Sequence, residues 1–118
     1  METSHDLSIA VEEWRQWRIL ALKGKFVVKS LAPVRKRFDE IESGKCYHVA
    51  VDLSGVSHID SSALTIVLNF QKRFKQNNGE VVVIGPSKEI NETLCLVGFN
   101  LAVPIYGSRA LFEKSVAD

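Results

Sequence analysis

The stretch from His58 to Leu64 (HIDSSAL) sets an imidazole, a carboxylate and two hydroxyls between an apolar, strand-like run and a helix-like run. Three chemistries use such residues. His58, Asp60 and Ser62 are the residue types of a nucleophilic triad, but a triad must converge in space beside an oxyanion hole. Residues two apart in one segment rarely converge that way, and the chain contains no G-x-S-x-G, P-loop, G-x-G-x-x-G or H-E-x-x-H pattern. Asp60 and the serines also suit a helix cap, in which side-chain oxygens accept orphan backbone N–H groups. The third chemistry is modification. A serine in a helix's first turn can be exposed while its backbone stays rigid. A phosphate there adds about 1.5 to 2 negative charges, which the helix dipole accepts with ~0.3–1 kcal/mol of stabilisation. Asp60, and Asp52 upstream, would oppose that charge. A partner docked on the helix would have to desolvate it, so binding can be switched without unfolding either protein.

The elements that must position these residues follow from periodicity. Leu7, Ile9 and Val11 alternate with polar or small residues, and Trp17 to Leu22 is a second apolar run. The pair predicts a hairpin across Glu13 to Gln16, although Val11, Trp14 and Arg18 also fit one helix face. Leu31, Val34, Phe38 and Ile41 have helical spacing, and Pro33 is tolerated only in the first turn, so that helix begins near Leu31 or Ala32. Arg35, Lys36 and Arg37 form its solvated side, followed at once by acids. Tyr47 to Leu53 is a strand with Val49, Val51 and Leu53 on one face. A loop from Ser54 to Ile59 then feeds a helix from Ser61 to Asn77, which Asn78-Gly79 stops. Val81 to Ile84 is an apolar strand buried on both faces. Pro86-Ser87 opens a helix with Ile90, Leu94 and Val97 in register, closed at Gly98. Ala102 to Tyr106 is a last strand that Pro104 pushes to an edge, and Arg109 to Val116 a terminal helix. The order predicts a single α/β domain over residues 1–118, with a mixed, mostly parallel sheet, an N-terminal hairpin and helices.

On the wheel of the helix after the motif, Ala63, Ile66, Val67, Phe70 and Phe74 share one arc, and Leu64 and Leu68 widen it. That arc exceeds the ~100° stripe of an ordinary surface helix. Either a neighbouring helix covers its flank or a partner protein does.

The totals bound the function. A net charge of +1 gives no global field for nucleic acid or an anionic membrane. The longest apolar runs are strand-sized, so no membrane insertion is expected. The opening METSHDLS lacks the basic start and apolar core of a signal peptide, which makes cytoplasmic residence the default. Cys46 and Cys95 form no C-x-x-C or cysteine/histidine cluster and are expected to be small buried hydrophobes. Nothing resembles a nucleotide cradle, and no cofactor is expected.

The run VDLSGVSHIDSSALTIVLNF resembles the signature of the STAS domain, and specifically of bacterial anti-sigma factor antagonists. Asp52, Leu53, Ile59, Asp60, Ser61, Ser62 and Leu64 match a strand ending that leads into D-S-S-G-L at a helix start. Gly24 and the run VVVIGPSKEINETLCLVGFN extend the resemblance over most of the chain. The resemblance implies a regulatory binding protein, not an enzyme. It would bind an anti-sigma factor that is also a serine kinase and so free a sigma factor. Phosphorylation of Ser62 would break that capture and a phosphatase would restore it. Ser61 is then a backup acceptor or cap, and Asp60 and Asp52 are acidic neighbours. The implied docking surface is Ser54 to Ile59 with the first helical turns: Asp52, Ser54, Ile59, Asp60, Ser61, Ser62, Ala63 and Leu64. Ala63 departs from the family's glycine. Some STAS proteins act instead as unphosphorylated scaffolds or as accessory subunits of membrane transport systems, and the departure gives that alternative some weight.

Overall fold

A computed structural model describes residues 7–116. Residues 1–6 and 117–118 lie outside it, and with them most of the opening METSHDLS segment and the ends of the expected 1–118 domain. The chain begins with the predicted hairpin. Strands β1 (Leu7–Trp14) and β2 (Trp17–Phe26) pair antiparallel, with Trp14 opposite Trp17 and Arg15 turning in the left-handed region at φ 56°. A 3-10 turn (Val28–Ser30) leads into α1 (Leu31–Ser43), whose Pro33 sits in the first turn as its fixed φ requires. There follow β3 (His48–Ile59), α2 (Ser61–Lys75), β4 (Glu80–Ile84), α3 (Lys88–Leu96), a 3-10 turn (Phe99–Leu101), β5 (Ile105–Tyr106) and α4 (Arg109–Val116). The sheet order is β1-β2-β3-β4-β5, antiparallel only between β1 and β2.

Strand alternation divides the core in two. Leu20 and Leu22 of β2, Val49, Val51 and Leu53 of β3, and Val81 and Val83 of β4 pack with the apolar stripes of α1, α2 and α3. The intervening residues Ile19, Ala50, Val82 and Ile84 face the other way, where Trp17 and Phe112 of α4 complete a second cluster. Each large side chain so buried stabilises the fold by roughly 1.5–3 kcal/mol. The central strands are therefore apolar on both faces, as their sequence requires.

Several expected boundaries move. β2 continues to Phe26 rather than ending at Leu22, and the expected loop Ser54–Ile59 is strand. It escaped the period-two pattern because β3 is bulged twice. Ala21 pairs with Asp52 but Lys23 with Gly55, and Gly24 pairs with Val56 but Lys25 with His58, so β3 gains a residue at each step. α2 ends at Lys75, not Asn77. There Asn78 supplies the left-handed residue (φ 62°), and Gly79 serves a close approach, since a methyl would collide with the Tyr47 carbonyl. Val97 caps α3 with 64% of its surface exposed, because α3 ends at Leu96. The last strand shrinks to Ile105–Tyr106 behind Pro104 and lies at the sheet edge. Neither cysteine is fully buried: Cys46 is half-buried and Cys95 exposed, outside the apolar stripe of α3.

Candidate functional site

The site forms where β3 ends and α2 begins. Asp60 is extended (φ −126°, ψ 177°) and is the N-cap residue. Its Oδ1 accepts the Ala63 N–H at 3.0 Å, and its Oδ2 accepts the Val28 N–H at 2.9 Å. One carboxylate thus caps α2 and fixes the turn between β2 and α1. That turn is braced again by the buried Ser30. Its hydroxyl donates to the Lys25 carbonyl at 2.7 Å and accepts the Val27 N–H at 3.0 Å. Hydrogen bonds to an ionised carboxylate are stronger than neutral ones, so the first turn of α2 has a rigid mount.

On that mount Ser61 is exposed and Ser62 half-buried. The Ser61 carbonyl accepts the Thr65 hydroxyl at 2.9 Å. Among the described residues, the Ser62 hydroxyl has no hydrogen-bond partner. Ala63 is 0% exposed and belongs to the main core. It presents no surface to a partner, and its methyl does not crowd the outside of Ser62. Leu64 and Ile59 are half-buried against the same core, and Ser54 is exposed.

Asp52 stands apart from the serines. It pairs with Ile84 in the sheet, well before the strand ends at Ile59, and its Oδ1 accepts the Ser54 N–H at 2.9 Å. Neither it nor His58 hydrogen-bonds Ser61 or Ser62. His58 Nδ1 meets the Ser57 hydroxyl at 2.9 Å, and Asp60 is held by backbone amides, so His58, Asp60 and Ser62 are not linked as a proton relay. The order β1-β2-β3-β4-β5 has no switch point, the place where open α/β sheets form a ligand crevice. At the end of β3 lies an open depression of about 230 Å³ lined by Ser57, His58, Ile59, Glu89, Ile90 and Thr93, with neither Ser61 nor Ser62 in its lining. A shallow rim with rigid hydroxyls suits recognition by a macromolecule better than enclosure of a small one.

The flank of α2 left open by its wide apolar arc is largely covered. Phe38 of α1 stacks on Phe70 at 4.3 Å, and Arg73 lies over the same ring at 4.6 Å while pairing with Asp39 and Glu42 of α1. Leu68 stays 36% exposed. Two residues escape sequence reasoning. Val28, 60% exposed beside Asp60, lies beyond the apolar run read as ending at Leu22 and before the helix expected from Leu31. Gln71, 4% exposed, accepts the Val81 N–H at 2.6 Å and donates to the Ala102 carbonyl at 2.9 Å, joining α2 to β4 and the last crossover.

The comparisons agree with this geometry. An anti-sigma F factor antagonist of Paenibacillus polymyxa is 30% identical over 114 residues, covering 94% of this chain and 97% of that protein. The crystal structure of an anti-sigma factor antagonist from Mycobacterium paratuberculosis matches with a TM-score of 0.86 at 15% identity, covering 100% of both chains. The Bacillus antagonist SpoIIAA in its unphosphorylated form matches with a TM-score of 0.77 at 16% identity, covering 94% of this chain and 98% of that one. The same protein is known in a phosphorylated form. At these identities the two solved structures speak for the fold. No described helix is long and apolar enough to cross a membrane. The pattern of the STAS domain matches residues 8–111, and with the sheet order and the capped serines already described, the chain belongs to the STAS domain family.

Proposed function

We propose that this chain is an anti-sigma factor antagonist, switched at Ser62. In the unmodified state the end of β3 and the first turns of α2 bind an anti-sigma factor that is also a serine kinase, and a sigma factor is released. Phosphate on Ser62 abolishes the capture, and a phosphatase restores it. The observation that carries the reading is a serine hydroxyl without a hydrogen-bond partner among the described residues, on a helical turn capped by a carboxylate that accepts the Ala63 and Val28 N–H groups. The relative from Paenibacillus polymyxa supports the same role.

The physics of the switch is local. A phosphate at the second residue of α2 faces the positive end of the helix and the N–H groups of its first turn, so the fold tolerates it. A docked partner must strip water from about 1.5 to 2 new negative charges. Asp60 adds a like charge nearby. Binding is lost while the fold remains.

The test is a titration against the anti-sigma factor kinase of the same organism, with wild type, Ser62→Ala and Ser62→Asp. Ser62→Asp should weaken binding by about 100-fold or more, equivalent to ~2.7 kcal/mol, with an unchanged thermal midpoint. Ser62→Ala should bind like wild type and accept no phosphate. Equal binding by all three, with no phosphate on Ser61 or Ser62 after incubation with kinase and ATP, would sink the switch. It would favour a constitutive scaffold or a transport accessory subunit.

A further inference from the structure

The flank of the site built by β2 and the turn after it carries Lys23, Lys25 and Lys29, all exposed. Lys25 lies opposite His58 in the β2–β3 register, and Lys29 follows Val28, whose N–H is fixed on Asp60. None of these three ammonium groups has an ion-pair partner among the described residues. Among the described residues four arginines are answered, Arg18 by Glu13, Arg37 by Glu40, Arg73 by Asp39 and Glu42, and Arg109 by Glu12 and Glu113, whereas the lysines elsewhere are unpaired too. What sets this flank apart is three lysines between positions 23 and 29 with no acid among them. Among the described residues the acid on this flank is Asp60, both of whose oxygens already accept backbone N–H groups. Among the described residues, three ammonium groups against one carboxylate leave this flank a formal charge of +2. Glu89 lies on the other flank of β3, across the depression it shares with His58. Beside Lys29, Val28 is 60% exposed, and its backbone is held in place.

We infer that this flank recognises its protein partner through an acidic face bearing an apolar pocket for Val28. The inference rests on the proposed docking of a protein at this rim and adds the chemistry of the partner. Unpaired surface charge attracts a complementary face at long range and fixes its register. A rigidly held apolar side chain beside those charges supplies the desolvated contact. The same arrangement strengthens the switch. A phosphate on Ser62 adds about 1.5 to 2 negative charges, which cancels most of the flank's excess. Modification then removes the attraction as well as adding a solvated group. A nucleic acid would also use the lysines, but it has no use for Val28 and gains nothing from the rest of a chain with net charge +1.

Amide shift mapping on the isotope-labelled full chain tests this at low salt. The probes are a short peptide of alternating glutamate and leucine, its lysine–leucine counterpart, and a single-stranded oligonucleotide. The glutamate peptide should shift Lys25, Val28, Lys29 and Ser61, weaken at least tenfold between about 20 and 300 mM salt, and lose its effect in the Lys25→Glu/Lys29→Glu double variant. Shifts centred on Arg35 to Arg37, tighter binding of the oligonucleotide, or no shifts would overturn the inference. With the kinase as probe, the double variant should lose about 30-fold or more in affinity. Equal binding by wild type and double variant removes the acidic-face inference and leaves the switch standing. Binding that needs the lysines but ignores Ser62→Asp does the reverse.

Discussion

Two carboxylates clasp distant parts of this chain, and they do so differently. Asp60 bridges α2 and the turn before α1 through two backbone amides. Glu12 of β1 reaches Arg109 of α4 with both oxygens, at 2.9 and 3.1 Å, and Arg109 also holds Glu113 at 2.8 Å. The first clasp has acceptors and donors fixed by the main chain. The second joins long side chains in solvent, and exposed pairs of that kind are weakened by salt and by side-chain entropy. The difference teaches where rigidity has been placed: around the serines, and not at the terminal helix. α4 relies instead on Phe112, packed edge-on against Trp17 at 5.0 Å.

Substitutions can break or sharpen that contrast. Asp60→Ala removes a cap and a second charged hydrogen bond, and urea unfolding should show a loss of about 2–3 kcal/mol. Faster amide exchange at Val28 should accompany it; an unchanged Val28 would mean that the bridge is not holding the turn. Ala63→Gly comes next, at about 1–2 kcal/mol, from a lost buried methyl and a poorer helix former. Because that methyl faces the core, binding should be unaffected, and weakened binding would show that position 63 reaches the partner.

Glu12→Gln should lower the thermal midpoint by less than Ala63→Gly. The hydrogen bond from Arg109 holds the Glu12 carboxyl below its ordinary range, and the Arg109 guanidinium is raised in turn by Glu12. A carboxyl depressed in the folded state contributes stability above its unfolded value and loses it as pH falls through the folded one. The gap between wild type and Glu12→Gln should therefore close on acidification below the ordinary carboxylate range, and also in high salt. A gap that survives both would place Glu12 in the same class as Asp60. The smallest effect belongs to Ser62→Ala, within ~0.5 kcal/mol, since its hydroxyl has no hydrogen-bond partner among the described residues.

Much of the architecture was legible because period is local. The 3.6-residue stripe of Val34, Phe38 and Ile41 and that of Ile66, Val67, Phe70 and Phe74 appear as buried faces. The continuous run Val81 to Ile84 appears as a strand covered on both sides. The cap at Asp60 was equally legible, since capping needs only the carboxylate and the next three residues. Ser54 to Ile59 was not. Its two bulges exist only in relation to β2, and a strand that gains residues against its neighbour loses the alternation that identifies it. Gln71 was silent for a similar reason: a glutamine on a helix reads as solvated until its partners, Val81 and Ala102, are brought around it.

What the sequence by itself determined is the set of elements, their order and the one segment where hydroxyls, an acid and a helix start coincide. These depend on neighbours within a few residues. Tertiary structure alone decided which groups share the rim: Val28 joins it, Asp52 does not, and Ala63 turns inward. Among the described residues it also left Lys23, Lys25 and Lys29 without an ion-pair partner while pairing Arg18, Arg37, Arg73 and Arg109. A carboxylate reaching an amide 32 residues away carries no local signature, because the contact is made by the sheet register that brings β2 beside β3.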